Sequence, residues 1–205
     1  MFKPKSKLLV MTLALAVGCA AAFLPVRASA QECAEARAWV EANANQLPTV
    51  YAEFARYSMT YRKAIFSSLS PEARSELWKQ HYKQYLDAHP DLNKAQVEFI
   101  QEALAALSPA LFTKSAAPAS GNTVQATLKE KATALFGAEE ARRLLATLGP
   151  PEQREGSVAD ANCSCSTASD YCYPLTFCTL GTSCTYTAWG CGTNWVYACN
   201  GDCLY

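Results

Sequence analysis

The fold is decided by residues 163–203, which read CSCSTASDYCYPLTFCTLGTSCTYTAWGCGTNWVYACNGDC. This stretch holds eight of the ten cysteines: Cys163, Cys165, Cys172, Cys178, Cys184, Cys191, Cys199 and Cys203. The other two are Cys19 and Cys33, and no cysteine lies between Cys33 and Cys163. A cysteine-poor body therefore precedes a cysteine-dense tail, and the two parts call for different interpretations.

The tail, residues 161–205, has a composition that suits a crosslinked β structure. It lacks Lys, Arg, His and Glu, carries a net charge of −2 from two aspartates, and contains eight aromatic residues. Thr and aromatic residues favour short strands, and turns are indicated at Gly181, Gly190-Cys-Gly192 and Asn200-Gly201. So small a segment is marginal on burial alone, which makes disulfides necessary. We predict a small disulfide-rich irregular β module that reduction unfolds while the body stays folded.

Two other uses of the thiols remain open, and the pairing is not determined. A metal cluster is disfavoured because the tail has no Cys-x-x-Cys pair and no histidine. Thioether crosslinks to Ser or Thr are a second alternative. Eight cysteines allow 105 pairings, which sequence alone does not separate. Cys33 remains after the eight tail cysteines have paired. It could form a disulfide between chains or stay a thiol outside the framework.

The first thirty residues predict export. A cationic start with Lys3, Lys5 and Lys7 precedes an apolar stretch from Leu8 to Val26 and the small residues 28–30. This order is typical of a secretory signal peptide cleaved between Ala30 and Gln31. A membrane anchor and a lipoprotein attached at Cys19 are the alternatives. A secreted protein is expected to form disulfides.

Between the signal and the tail, helical periodicity predicts an all-α helical body. One helix is predicted over about residues 49–69, a second starts at Ser70-Pro71, and a third starts at Asn93. After a linker at 115–122, two more helices are predicted over about 124–136 and 138–148. The predicted organisation is a signal at 1–30, a helical pro-region at 31–149, a linker at 150–160 and the cysteine-rich peptide at 161–205.

The body offers little chemistry. Its two histidines, His81 and His89, are eight residues apart, so they do not make the helical pair of a metal site. No phosphate-binding loop, nucleophile elbow or zinc-protease motif is present. The balance of 18 basic and 18 acidic residues gives no basic field for nucleic acid. The sequence predicts no enzyme, no cofactor, no metal and no nucleic-acid partner.

The tail resembles the bacteriocin fulvocin C-related family. The resemblance rests on ANCSCSTASDYC at 161–172, on LTFCT at 175–179 with Gly181, on GCGT at 190–193 and on WVY at 195–197. It implies an antibacterial peptide, cut out between Asp160 and Ala161 by a processing protease, that kills competing bacteria. The implied partners are a receptor or membrane of the target bacteria and an immunity protein.

An acidic, aromatic-rich peptide is not drawn to anionic lipid by charge, so aromatic contact is the expected mode of target binding. The candidates for that contact are Tyr173, Trp189, Trp195 and Tyr197. The main alternative function is an uncleaved secreted binding protein whose stapled tail serves recognition. A third is a protease inhibitor with a scissile loop at Tyr173-Pro174-Leu175.

Overall fold

The computed structural model describes residues 28–113, 123–151, 163–172, 176–181 and 184–204. The described residues form seven α-helices followed by four short strands and four disulfides. The predicted fold class, an all-α body and a small disulfide-rich β module, is confirmed. We call residues 28–151 the helical body and residues 163–204 the cysteine module.

The helices are α1 Ala28–Ala42, α2 Tyr51–Phe54, α3 Met59–Ser68, α4 Pro71–Ala88, α5 Lys94–Ala106, α6 Thr123–Phe136 and α7 Ala138–Ala146. Their starts follow from local chemistry. Ser70 Oγ accepts a bond from the Ala73 amide at 3.3 Å, and Pro71 occupies the first turn of α4. Asn93 and Gln96 form a reciprocal capping box at the start of α5. None of these helices is long and apolar enough to cross a membrane.

The single helix predicted over about residues 49–69 is wrong, because the chain breaks into α2 and α3. Ser58 has an extended backbone with ψ of 160°, and its hydroxyl donates to Glu32 Oε1 at 2.8 Å. Serine is a weak residue for a helix interior because its hydroxyl competes for other partners. Both helices contribute to the core: α2 buries Tyr51 and Phe54, and α3 buries Ile65 and Phe66.

Helix α4 is the centre of the body. Its Leu77, Trp78 and Tyr82 are fully buried, and they pack with Phe54 and Ile65 from the preceding helices. Helices α5, α6 and α7 complete the same core with these residues: Phe99, Ile100, Ala103, Leu128, Ala132, Ala141, Leu144 and Leu145. The large aromatic side chains of α2, α3 and α4 thus belong mostly to the core.

The cysteine module contains two small antiparallel pairs of strands: β1 Phe177–Leu180 with β4 Gly201–Leu204, and β2 Thr187–Cys191 with β3 Tyr197–Cys199. Strands β2 and β3 form a hairpin. The predicted turn at Asn200-Gly201 does not join paired strands. There the chain passes from the β2–β3 hairpin to the side of β1, because Gly201 pairs with Leu180.

Four disulfides hold the module: Cys163–Cys184, Cys165–Cys178, Cys172–Cys203 and Cys191–Cys199. All eight tail cysteines take part, and each bond stays within the module. Cys33 is buried in α1 and belongs to none of these bonds. Disulfides of this density fit a protein that folds outside the reducing cytosol.

Several predicted segments fall wholly or partly outside the described residues. They include residues 1–27 of the signal, most of the linker, the Asp160–Ala161 processing site, and Tyr173 with its loop. Helix α1 begins at Ala28, so the backbone is helical at Ala30 and Gln31, where signal cleavage is predicted.

The module and the body share one hydrophobic core. Trp189, Trp195, Val196 and Tyr197 belong to the same buried cluster as Trp78. A second, smaller cluster inside the module contains Cys163, Cys191 and Cys199. The module therefore contributes these four buried side chains to the core of the body, and its own buried cluster consists of cysteines.

Because the core is shared, reduction is expected to weaken the body as well, contrary to the separate unfolding that composition predicts. Loss of crosslinks worth about 2–4 kcal/mol each should lower the melting temperature of the helices by about 5 °C or more. Far-UV circular dichroism of the whole chain, with and without reductant, measures this shift. Cys33→Ser is the control, since it should respond to reductant as the parent chain does. An unchanged helical transition would contradict the shared core.

Candidate functional site

The contact between module and body is concentrated at the turn of the β2–β3 hairpin, which enters the helical body. We call residues 192–196 the hairpin tip. The residues that receive it, Phe66, Trp78, Tyr82, Gln125 and Ala146, we call the socket. Thr193, Asn194, Trp195 and Val196 are each 0% exposed. A turn that contains the polar residues Thr193 and Asn194 is thus among the most deeply buried parts of the module.

The tip is held in an unusual backbone conformation. Asn194 and Trp195 both have positive φ, 53° and 55°, a region that costs non-glycine residues about 1 kcal/mol or more. Gly192 precedes them with φ of 67°, and a Cβ there would lie 2.6 Å from the Cβ of Ser169. The Cys191–Cys199 disulfide closes the hairpin just behind this turn. Backbone and crosslink together aim the indole of Trp195 outward from the module.

Trp195 is the anchor of the contact. Its Nε1 donates to the carbonyl of Ala146 at the end of α7, at 2.9 Å. Its ring meets Phe66 and Trp78 edge to face, with centroids 5.3 and 6.1 Å apart. A buried tryptophan whose N–H is hydrogen-bonded is among the side chains that contribute most to the stability of protein interfaces.

Asn194 carries the polar part of the contact. Its Oδ1 accepts from the Tyr82 hydroxyl, and its Nδ2 donates to Gln125 Oε1 at 3.0 Å. Burial raises the pKa of Tyr82 well above its usual value, so the phenol stays protonated and remains a donor. Each end of the buried amide thus has a partner from the body, which sets the orientation of the tip.

Thr193 joins the tip to the rest of the module and to α6. Its hydroxyl lies 2.8 Å from the Tyr171 hydroxyl and donates to the Gln125 carbonyl at 3.4 Å. Its amide donates to Ser169 Oγ at 3.1 Å. Burial raises the pKa of Tyr171, which keeps that phenol neutral. The hydroxyl network therefore continues from the socket into the module without a charged member.

Three cations of the body lie along the edge of the contact. Lys129 donates to the Asp170 carbonyl, and Lys63 donates to the Ser164 carbonyl at 3.4 Å. The Arg74 guanidinium stacks on Trp189, 4.7 Å from the ring centroid, and also donates to the Phe66 carbonyl at 2.8 Å. Since the tail has no basic residue, positive charge at this boundary comes from the body alone.

His81 lies next to the socket and links α4 to α7 and to Tyr51. Its Nε2 lies 3.1 Å from the Leu144 carbonyl of α7, and its Nδ1 lies 3.0 Å from the Tyr51 hydroxyl. A neutral ring satisfies both contacts, since Nε2–H donates to the carbonyl and Nδ1 accepts from the phenol. Burial, with a smaller contribution from the nearby Arg62 charge, lowers the pKa of His81 to about 4. The histidine is a structural link between α4 and α7.

A cavity of about 630 Å³ runs beside the contact, between α1, α3 and β2. Cys33, Lys63 and Arg74 line it from the body, and Cys163 and Trp189 line it from the module. The boundary is therefore open on this side, and the close packing is at the hairpin tip.

Three of the four predicted target-contact residues are buried, and the fourth, Tyr173, lies outside the described residues. Trp189, Trp195 and Tyr197 are 3%, 0% and 3% exposed, all against the body, so the intact chain withholds them from any target. Among the described residues of the module, the exposed large apolar side chains are instead Phe177, Leu180, Tyr186 and Leu204. Phe177 and Leu204 are opposite each other across the β1–β4 pair.

Sequence reasoning missed the polar members of the contact, Thr193 and Asn194 in the tip and Tyr82 and Gln125 in the body. An Asn between a glycine turn and a tryptophan was a usable signal for the tip, because Asn tolerates left-handed backbone. Gln125 offered none, since it looks like an ordinary surface residue of a helix.

The sulfur atoms of Cys165, Cys172 and Cys178 lie within 4.8 Å of one another, the spacing of a metal cluster. Two adjacent disulfides account for this proximity, since Cys165 is bonded to Cys178 and Cys172 to Cys203. Sulfur in a disulfide is not a thiolate ligand.

Comparison with known proteins finds a similar bacteriocin. A 43-residue segment, 20% of the chain, is 77% identical to the protein named bacteriocin fulvocin-C from Myxococcus fulvus and covers 96% of it. The chain belongs to the fulvocin C family. Neither a protein-family model nor a solved structure matches it. The match leaves about four fifths of this fulvocin C-related chain, the helical body included, without a counterpart in that bacteriocin.

Trp195→Ala should destabilise the whole fulvocin C-related chain by about 3–5 kcal/mol, because it empties the socket and removes a buried hydrogen bond. Urea unfolding followed by far-UV circular dichroism measures the free energy of unfolding. Tyr186→Ala is the matched control, since its ring is 62% exposed and its loss should cost less than about 0.5 kcal/mol. Equal losses for the two variants would contradict the anchoring role of Trp195.

Stability should fall with acid because of His81. The pKa of His81 is lowered from 6.5 to about 4 in the fold. The unfolded chain therefore takes up the proton first, and stability declines as pH falls from about 6.5 towards 4. The loss should be about 3 kcal/mol. His81→Gln should flatten this slope in urea titrations, whereas His89→Gln should not. The same slope in all three proteins would exclude His81 as its source.

Proposed function

We propose that the chain is the secreted precursor of a disulfide-stabilised antibacterial peptide, residues 161–205, that is released from the C-terminus and kills competing bacteria. The observation that carries the proposal is the 96% coverage of a bacteriocin by a segment that is only 20% of the chain. The known bacteriocin corresponds to one part of this protein, which is what a precursor and its product require.

The disulfide pattern supports release. Each of the four bonds joins two cysteines of the module, and none ties the module to the body. Among the described residues no disulfide joins the module to the body. One cut between Asp160 and Ala161 would therefore separate the two chains covalently and leave the crosslinked framework intact. A processing protease is the first partner that this proposal requires.

The surface of the module suggests how it would meet a target. Its net charge of −2 gives no attraction to anionic lipid. Apolar and aromatic contact, with a receptor or with the membrane interface of the target bacterium, is the remaining mode. Phe177, Leu180, Tyr186 and Leu204 are exposed already, and Trp189, Trp195 and Tyr197 would be added on separation from the body.

The helical body would then be a pro-region, and an immunity protein would protect the producer. The shared core favours a second candidate, an uncleaved secreted binding protein, because a module built into the core of the body is suited to remain there. The two functions differ in the covalent state of the secreted protein.

Intact-mass spectrometry of the culture medium distinguishes them. The precursor function predicts an oxidised species of residues 161–205, and this species should kill strains related to the producer. The same peptide after reduction and alkylation should be inactive, because a segment this small depends on its crosslinks. Recovery of residues 31–205 alone, or an oxidised peptide harmless to a broad panel of related strains, would favour the binding protein.

A further inference from the structure

We infer that the helical body has a function of its own as a binding protein for the folded cysteine module. It would hold the module after the linker is cut and would capture a module released from another copy. This inference rests on the proposed function only for the event of cutting. The contact itself is read from the structure.

The first support is the depth of the contact. The four side chains from Thr193 to Val196 are fully buried, and Trp195 lies among Phe66, Trp78 and the end of α7. Buried aromatic anchors surrounded by packed side chains carry most of the affinity in protein interfaces. The packing partners of Trp195 lie outside the linker, since the linker begins only after Ala146, at residue 150.

The second support is the pairing of polar groups across the boundary. Both ends of the Asn194 amide and the Trp195 Nε1 are bonded by groups of the body. If the module left, Tyr82, Gln125 and the Ala146 carbonyl would lose these partners in an apolar recess. Water would replace these partners in part, so the pairing stabilises the closed state modestly and fixes the orientation in which the module binds.

The third support is charge. Lys63, Lys129 and Arg74 of the body approach carbonyls and an indole of the module, which has no basic residue of its own. The module's −2 charge makes association with this cationic edge favourable. Complementary charge of this kind raises the rate of encounter between separate partners.

The fourth support is the conformation of the tip. The left-handed Asn194 and Trp195 are held by the socket, which supplies the partners of both side chains. A free module lacks those partners, so the socket selects the conformer that fits it. The body is thereby specific for this hairpin over other aromatic peptides.

The consequence concerns activity. The aromatic residues expected to contact the target are the ones that the body covers. A module bound to the body would therefore be inactive even after cutting, and release would require dilution, a competing target or proteolysis of the body.

The test uses the full oxidised chain with residues 153–159 replaced by the site of a sequence-specific protease. After cutting, non-reducing size-exclusion chromatography at micromolar concentration should show both fragments in one peak, identified by intact mass. Mixing with a ¹⁵N-labelled cut complex should then exchange labelled for unlabelled modules on the body, which measures capture in trans.

Variants locate the binding. Trp195→Ala should weaken the complex on the order of a hundredfold and give separate peaks. If that variant fails to fold, Gln125→Ala tests the socket alone, with an expected loss of about tenfold and faster exchange. Gln101→Ala, an exposed glutamine on α5, is the matched control and should change nothing.

The outcomes separate the two proposals. Immediate separation of the fragments after cutting, or exchange that Gln125→Ala leaves unaltered, would overturn the binding role and leave the precursor function standing. An isolated, oxidised module that kills nothing would count against the precursor function and leave the binding measurement valid. A cut complex that kills as well as the isolated module does would contradict the inactive bound state.

Discussion

The structure depends on the burial of one indole that is presented by a turn from a different part of the chain. Trp195 belongs to the cysteine module but lies among the aromatic residues of α3 and α4. A tryptophan side chain buries a large area, and its N–H must be bonded when it does so. Both demands are met by the body, so the module and the body share one hydrophobic core although their compositions are unlike.

The body is built so that this recess keeps its shape. Arg62, fully buried, donates to the carbonyls of Leu148 and Pro150 and so ties the segment after α7 to α3. Gly149 lies against it with φ of 107°, and a Cβ there would collide with the guanidinium. With His81 bonded to Leu144, the end of α7 is fixed from two sides. The position of the carbonyl that receives Trp195 is therefore supported by contacts within the body.

The elements that depend only on interactions between neighbouring residues were predictable from the sequence. Ser70-Pro71 and Asn93 start helices because capping needs only neighbouring amides. The density of cysteine predicts a crosslinked module. The break before Ser58, the pairing of the cysteines and the burial of Trp195 were not predictable in this way. They depend on contacts between residues far apart in sequence, such as Asn194 with Gln125.

The surroundings of the module's aromatic residues could not be predicted from composition. Composition marks Trp189, Trp195 and Tyr197 as residues that seek apolar surroundings, but it does not say which surroundings. A small module with sulfur in its interior has no room to bury them, so they must lie on its surface. In the intact chain the body covers that surface. The same aromatic side chains suit the core of the body and the surface of a target, so whether the module is bound to the body or separated from it would determine which of the two they contact.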